Sequence, residues 1–349
     1  MLFHVTWYGG QNPPFLSRFM PWLPILPADK PRPGVLLFGH SGVDFFFTLS
    51  GFVMVWGYGA AAGNPRRAWP FLKARFLRIY PTYWAILCLT LVYLFFRSGP
   101  NDRAFEPWAL ASGVALYGIG PFQVPPAETL PYELLLYLFF TSLLLLGWPF
   151  FCVAALTWSV LIFGQNWDWM PVGYHRMLLS LSMLEFLLGC LGAAFVMRFR
   201  PRLLRATWVW LAAAVCLVVG VIDSAEVLIG DHHSIRNFAL PYLALIVAGV
   251  AYELGGTRRY PRLLMLLGNA SYSIYLSHYY LVLDLNGRLG RYPQIESVLG
   301  RDGERLLVCM IILALGVACW ALIERPLHAL ARRMAGSSPR RSVTAAGAS

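Results

Sequence analysis

Charged side chains are scarce in this 349-residue chain: 13% of the sequence, against a hydrophobic share of 58%. A soluble domain averages about 25% charged and about 45–50% apolar residues. The shortage excludes an ordinary soluble fold and points to one integral-membrane domain spanning residues 1–334. A polar stretch long enough for a separate soluble domain is also lacking. Only the segment after Met334 is polar, and residues 335–349 read as a small-residue, basic, disordered cytoplasmic tail. Acidic residues are the scarcer sign, 17 against 28 Lys and Arg, for a net charge of +11. In a soluble protein that excess would suggest nucleic acid. Here the arginines cluster in short segments between apolar runs, the pattern of cytoplasmic membrane loops, so no nucleic-acid partner is expected.

Other signals are missing too. The six cysteines (Cys88, Cys152, Cys190, Cys216, Cys309 and Cys319) lie inside apolar runs and form no C-x-x-C pair. That argues against a disulfide framework or a metal site, leaves them as small packing residues, and predicts no metal. Asp231, His232 and His233 are adjacent in a loop, a spacing that rarely gives coordination geometry. Met1–Tyr8 is apolar, but it is too short to span and no basic segment precedes it, so it is not a signal peptide. It reads as the end of a helix whose beginning is absent from the sequence. No internal repeat is visible.

What the chain does have is a succession of apolar runs. They fall at Gly34–Tyr58, Tyr80–Phe96, Trp108–Phe122, Thr129–Trp148, Pro149–Phe163, Met177–Val196, Thr207–Ile222, Phe238–Leu254, Leu263–Asp284 and Leu306–Ile323. A spanning helix needs about 20 mostly apolar residues. Four basic segments punctuate the runs and are all expected on the cytoplasmic side. They are Arg66, Arg67, Lys73, Arg75 and Arg78; then Arg198, Arg200, Arg202 and Arg205; then Arg258, Arg259 and Arg262; then Arg325, Arg332, Arg333, Arg340 and Arg341. Between the first and second lie five runs, an odd number that cannot return the chain to one side. One run must fail to cross. Trp108–Phe122, short and interrupted by Gly113, Gly118, Gly120 and Pro121, is the weakest and reads as re-entrant or interfacial. Alternatively, Thr129–Phe163 crosses once as a broken helix, although Trp148–Pro149 suits a hairpin turn. The expected fold is an all-α polytopic bundle of about ten transmembrane helices, with the first incomplete, one re-entrant segment, and both termini cytoplasmic.

Polar residues inside the runs are costly and so mark candidate sites. Asp44 interrupts GHSGVDFFFTLSGF, with His40 and Thr48 one turn to either side. It either serves function or makes a structural hydrogen bond. Thr129, Glu133, Tyr137 and Thr141 repeat every four residues and form a second stripe, where Glu133 could equally be favouring a helix start. Glu185 shares a face with Ser182, Gly189 and Gly192, as consistent with close helix packing as with a role of its own. Ser271, Tyr275 and His278 share a face, and His278 is either a proton carrier or a hydrogen-bonded interior histidine. In FLKARFLRIYP, Lys73, Arg75 and Arg78 either set topology or hold a polyanion such as a nucleotide cofactor. Two function classes fit this inventory. A transporter would use the carboxylates as ion or proton sites, and an enzyme would use a histidine base with a carboxylate beside it.

Six segments in order resemble the acyltransferase-3 family of bacterial membrane O-acyltransferases: GVDFFFTLSGFVM, FLKARFLRIYPTYW, TLPYELLLYL, LEFLLG, LLGNASYSIYLSHYYLV and IERPL. The resemblance implies transfer of an acyl group, usually acetyl, from cytoplasmic acyl-CoA to a hydroxyl of a glycan, a lipopolysaccharide or exopolysaccharide precursor, or a small molecule. It places the protein in the bacterial inner membrane. MLFHV matches the context of the family's catalytic histidine, which makes His4 the implied base and Asp44 and Glu133 its companions. By the same match Arg75, Arg78 and Lys73 would bind the CoA phosphates, while His40, Ser50, Tyr137, Ser271, Tyr275 and His278 would line the substrate chamber. The sequence departs from the family pattern in three ways: it has no Arg-containing segment before His4, it carries Glu128 where a Trp is usual, and it has Pro131 where a small residue is usual.

Overall fold

A computed structural model describes residues 42–117, 122–166, 178–203, 235–254, 260–289 and 291–334. Among these the chain is helical, without strands. The helices are α1 (Gly42–Tyr58), α2 (Ala68–Ser98), α3 (Pro107–Ala115), α4 (Leu130–Asn166), α5 (Leu181–Leu203), α6 (Ile235–Leu254), α7 (Arg262–Leu289), α8 (Pro293–Cys319) and α9 (Arg325–Met334). Five helical segments in the described residues are long and apolar enough to cross a membrane. Their outer surfaces carry exposed Phe96, Leu138, Val153, Leu156 and Leu322, a belt that only lipid would leave unpunished. The Met1–Tyr8 stub, the run Thr207–Ile222, the Asp231–His233 cluster and the tail after Met334 lie outside the described residues.

Gly147 settles how Thr129–Phe163 is used. Its backbone is left-handed (φ 80°, ψ −177°), a conformation that a glycine adopts without Cβ strain. The helix therefore turns back on itself. The Phe139 ring lies 4.5 Å from that of Trp158 and 5.1 Å from that of Phe151, separations that would be about 28 Å and about 18 Å along a straight helix. So α4 is a hairpin of two arms, reversing one residue before the expected Trp148–Pro149. Gly63, also at positive φ (73°), packs against that turn and donates its N–H to the Leu143 carbonyl (3.0 Å).

The short helix α3 occupies Trp108–Phe122, the run read as too short and interrupted to cross. Nine residues rise only about 13 Å. Its last carbonyls receive side-chain donors from α2. Tyr83 bonds the Gly113 carbonyl (2.6 Å), Trp84 that of Val114 (2.9 Å) and Tyr80 that of Ala115 (3.1 Å). All three donors come from the segment RIYPTYW, so that aromatic cluster fastens the end of the short helix to α2.

Helix pairings fix which ends meet. α1 and α5 run parallel, with Asp44 level with Glu185 and Gly51 level with Phe186 and Cys190. α2 and α7 are also parallel, since Tyr272 bonds the Ile79 carbonyl (3.1 Å) and Tyr93 bonds Asp284 (3.0 Å). α9 returns to α2 through His328, 3.1 Å from the Arg78 carbonyl. Together with the Gly63–Gly147 contact, this gathers Arg66–Arg78, Arg198, Arg262 and α9 at one end of the bundle. The other end mixes signs: Asp284 binds both Arg288 (2.9 Å) and Arg97 (3.6 Å).

Candidate active site

Glu133 sits one turn into α4, where a carboxylate also favours the helix dipole. The dipole alone does not explain its burial to 4% exposure. Tyr137, one turn further, donates its hydroxyl to Glu133 Oε1, and Thr141 Oγ1 bonds the Tyr137 carbonyl (2.8 Å). The four-residue repeat thus becomes a hydrogen-bonded stripe along the first arm. Opposite it, α2 runs antiparallel and presents Arg75 and Arg78, both of which act electrostatically on Glu133. Arg78 lies about 15 Å along the helix from Ala68, so the pair stands about three turns into α2.

Three rings enclose the Arg75 guanidinium: its carbon is 5.4 Å from the Phe71 and Tyr137 centroids and 5.7 Å from that of Tyr58. Its Nε is buried without a hydrogen-bond partner. Arg78 and Lys73 are exposed. The site therefore combines one half-buried cation among aromatic rings, exposed cations, and a buried carboxyl held by a tyrosine.

α7 forms the next wall. Tyr275 donates to the Pro126 carbonyl (2.8 Å) and lies 2.9 Å from Thr129 Oγ1, which ties α7 to the entrance of α4. His278 is buried, with Nδ1 2.5 Å from the Tyr275 carbonyl. Ser271 is exposed and bonds its own helix at Gly268 (2.8 Å), so it is not brought together with Tyr275 and His278. The inward serine is Ser273, which donates to Glu324 Oε2 at 2.5 Å. Glu324 closes a π-helical turn, Trp320–Glu324, an irregularity often found at functional sites. Sequence reasoning overlooked both residues, although Glu324 stands in the quoted segment IERPL.

Asp44 acquires a partner that its own helix could not supply. The side chains of Asp44 and Glu185 lie within hydrogen-bonding reach, and Glu185 is buried with Oε2 unpartnered. A hydrogen bond between two carboxyls has to carry a proton, because two carboxylates would repel. The packing reading of this segment holds as well. A Cβ on Gly189 would overlap the Thr48 carbonyl, and one on Gly51 would overlap that of Phe186. Thr48 bonds the Asp44 carbonyl (3.0 Å) along α1, and Ser50 is half-buried on the same helix. His4 and His40 lie outside the described residues.

Buried carboxyls beside accessible cations suit a reaction in which a polyanionic donor meets a group that must give up a proton. Comparison with known proteins bears on that chemistry. The family profile described as an acyltransferase domain matches residues 1–325. The exopolysaccharide production protein ExoZ of Rhizobium meliloti (strain 1021) is 27% identical over 320 residues, covering 83% of this chain and 89% of its own. No solved structure matches. Of the two classes compatible with the residues, these findings decide for the enzyme: the chain belongs to the acyltransferase-3 family and is a membrane acyltransferase.

Proposed function

We propose that the protein transfers an acyl group, acetyl in the simplest case, from acyl-CoA to a hydroxyl of a glycan or glycan precursor. The observation that carries this reading is the Glu133–Tyr137 pair buried opposite Arg75 and Arg78. It sets cations suited to phosphates beside groups suited to proton transfer. A glycan acceptor is favoured over a small molecule by the relative's name, which refers to exopolysaccharide production. In the reaction the acceptor oxygen bonds the thioester carbonyl carbon, the carbon–sulfur bond breaks, and CoA leaves as the thiol with the proton taken from the hydroxyl. His4 is the proposed base that removes that proton. Asp44 and Glu133 orient the reacting groups, and His40, Ser50, Tyr137, Tyr275 and His278 line the chamber.

The proposed setting is the bacterial inner membrane. About ten helices cross it, with the basic end and both termini cytoplasmic, so that the donor arrives from the side where CoA is made. Membranes containing the protein should transfer radiolabel from acetyl-CoA to the surface glycan fraction, and His4→Ala should reduce transfer about 10²–10⁴-fold. Transfer that is independent of CoA, or unchanged in His4→Ala, would sink the donor or the base assignment respectively.

A further inference from the structure

Arg75 and Arg78 stand three residues apart on α2, and a shared task is the simplest expectation for them. Their surroundings differ. Arg75 is half-buried, and rings from α1, α2 and α4 (Tyr58, Phe71 and Tyr137) flank its guanidinium. Its Nε is shut inside the protein, and one of the caging rings belongs to the tyrosine that donates to Glu133. Arg78 is exposed, and its backbone carbonyl is held by His328 of the basic helix α9. Lys73 is exposed on the same helix.

We infer that the two arginines divide the labour. Arg75 is a positioning residue that holds Tyr137 on Glu133 at the reacting end, and Arg78 meets the phosphates of the donor. A guanidinium held within cation–π distance of three rings gains less by leaving them for a solvated phosphate than an exposed one, which can form bidentate contacts at small cost. The aromatic cage also explains the choice of arginine at position 75. A planar cation stacks on rings, while a lysine ammonium would not fill the same space. This inference rests on the proposed acyl-CoA donor.

The test compares two donors, acetyl-CoA and S-acetylpantetheine, which carries the same thioester but no phosphate. The quantity read is the ratio of their kcat/KM values with the natural acceptor. Wild-type protein should prefer acetyl-CoA. Arg78→Ala should reduce that preference about 10–100-fold, the worth of a charge-assisted hydrogen-bonded contact, mainly through the KM of acetyl-CoA. Arg75→Ala should lower kcat for both donors while keeping the ratio within about twofold of wild type. Tyr137→Phe should share that signature, which guards against an Arg75→Ala protein that fails to fold. The division of labour is overturned if Arg75→Ala, or Arg75→Lys in its place, reduces the preference as Arg78→Ala does. It is equally overturned if Tyr137→Phe alters the ratio. A wild-type protein that uses acetyl-CoA no better than S-acetylpantetheine would instead remove the phosphate-binding reading itself, and this inference with it.

Discussion

Tyr137 and Ser273 each give a hydroxyl hydrogen to a carboxyl that has almost no access to water, Glu133 and Glu324 respectively. Removing either donor leaves a buried acceptor short, which costs about 1–3 kcal/mol. Tyr137→Phe and Ser273→Ala should therefore each lower the thermal midpoint of the detergent-purified protein. A midpoint unchanged in both would mean that these bonds contribute nothing to stability. Glu133→Gln in the Tyr137→Phe background should recover part of the loss, because an amide has a smaller desolvation cost than a carboxylate. At this scale the sequence was readable where a repeat ran along one helix. Thr129, Glu133, Tyr137 and Thr141 lie four apart and do form one stripe. It was not readable where the partner came from elsewhere. The face containing Ser271 and the face containing Ser273 differ by about 200° of helical rotation. Ser271 is exposed although Tyr275 and His278 further along its face are inside, and Ser273 is met by Glu324 from a distant turn. Glu185 was noticed, but its pairing with Asp44 was hidden for the same reason, since nothing near it in the chain announces Asp44.

Helix contacts impose sharper demands on glycine than any propensity does. α1 and α5 touch backbone to backbone at Gly51 and Gly189, where an added methyl would overlap a carbonyl oxygen of the other helix. Gly51→Ala and Gly189→Ala should each destabilise the protein by about 1–3 kcal/mol as the helices move apart. The separation should also be detectable as weaker cysteine cross-linking between the two helices. Gly57, with open space around its Cβ position, serves as the control and should tolerate alanine. Gly147→Ala places a side chain in the left-handed region at the hairpin turn and should cost about 1–2 kcal/mol. Among the described residues the helices follow the apolar runs in order, and parity required one run not to cross while short length and interrupting glycines picked out the one that holds α3. What the runs did not contain was the way α3 ends. Three hydroxyl and indole donors thirty or more positions earlier in the chain satisfy its carbonyls, a match that only the folded bundle makes visible.

For the whole molecule, the expected orientation can be checked residue by residue. In a background lacking the native cysteines, Ala62→Cys, Trp148→Cys and Arg333→Cys should react with an impermeant thiol reagent from one side of the membrane. Arg103→Cys and Tyr292→Cys should react from the other. Labelling of Trp148→Cys together with Arg103→Cys would refute the hairpin reading of α4. The parallel course of α1 and α5 has a consequence for how the protein is made. Neighbouring hairpin helices can pair as soon as both have emerged, but Asp44 must wait for Glu185, about 140 residues later. At roughly 5–20 residues per second the delay is on the order of 7–30 s. Throughout that interval α1 resides in the bilayer with an unmatched acidic side chain, held by the translocation machinery or by water at its flank. A chain that stalls before α5 should consequently lose α1 from the membrane, and quality-control proteolysis of such intermediates would begin at that helix.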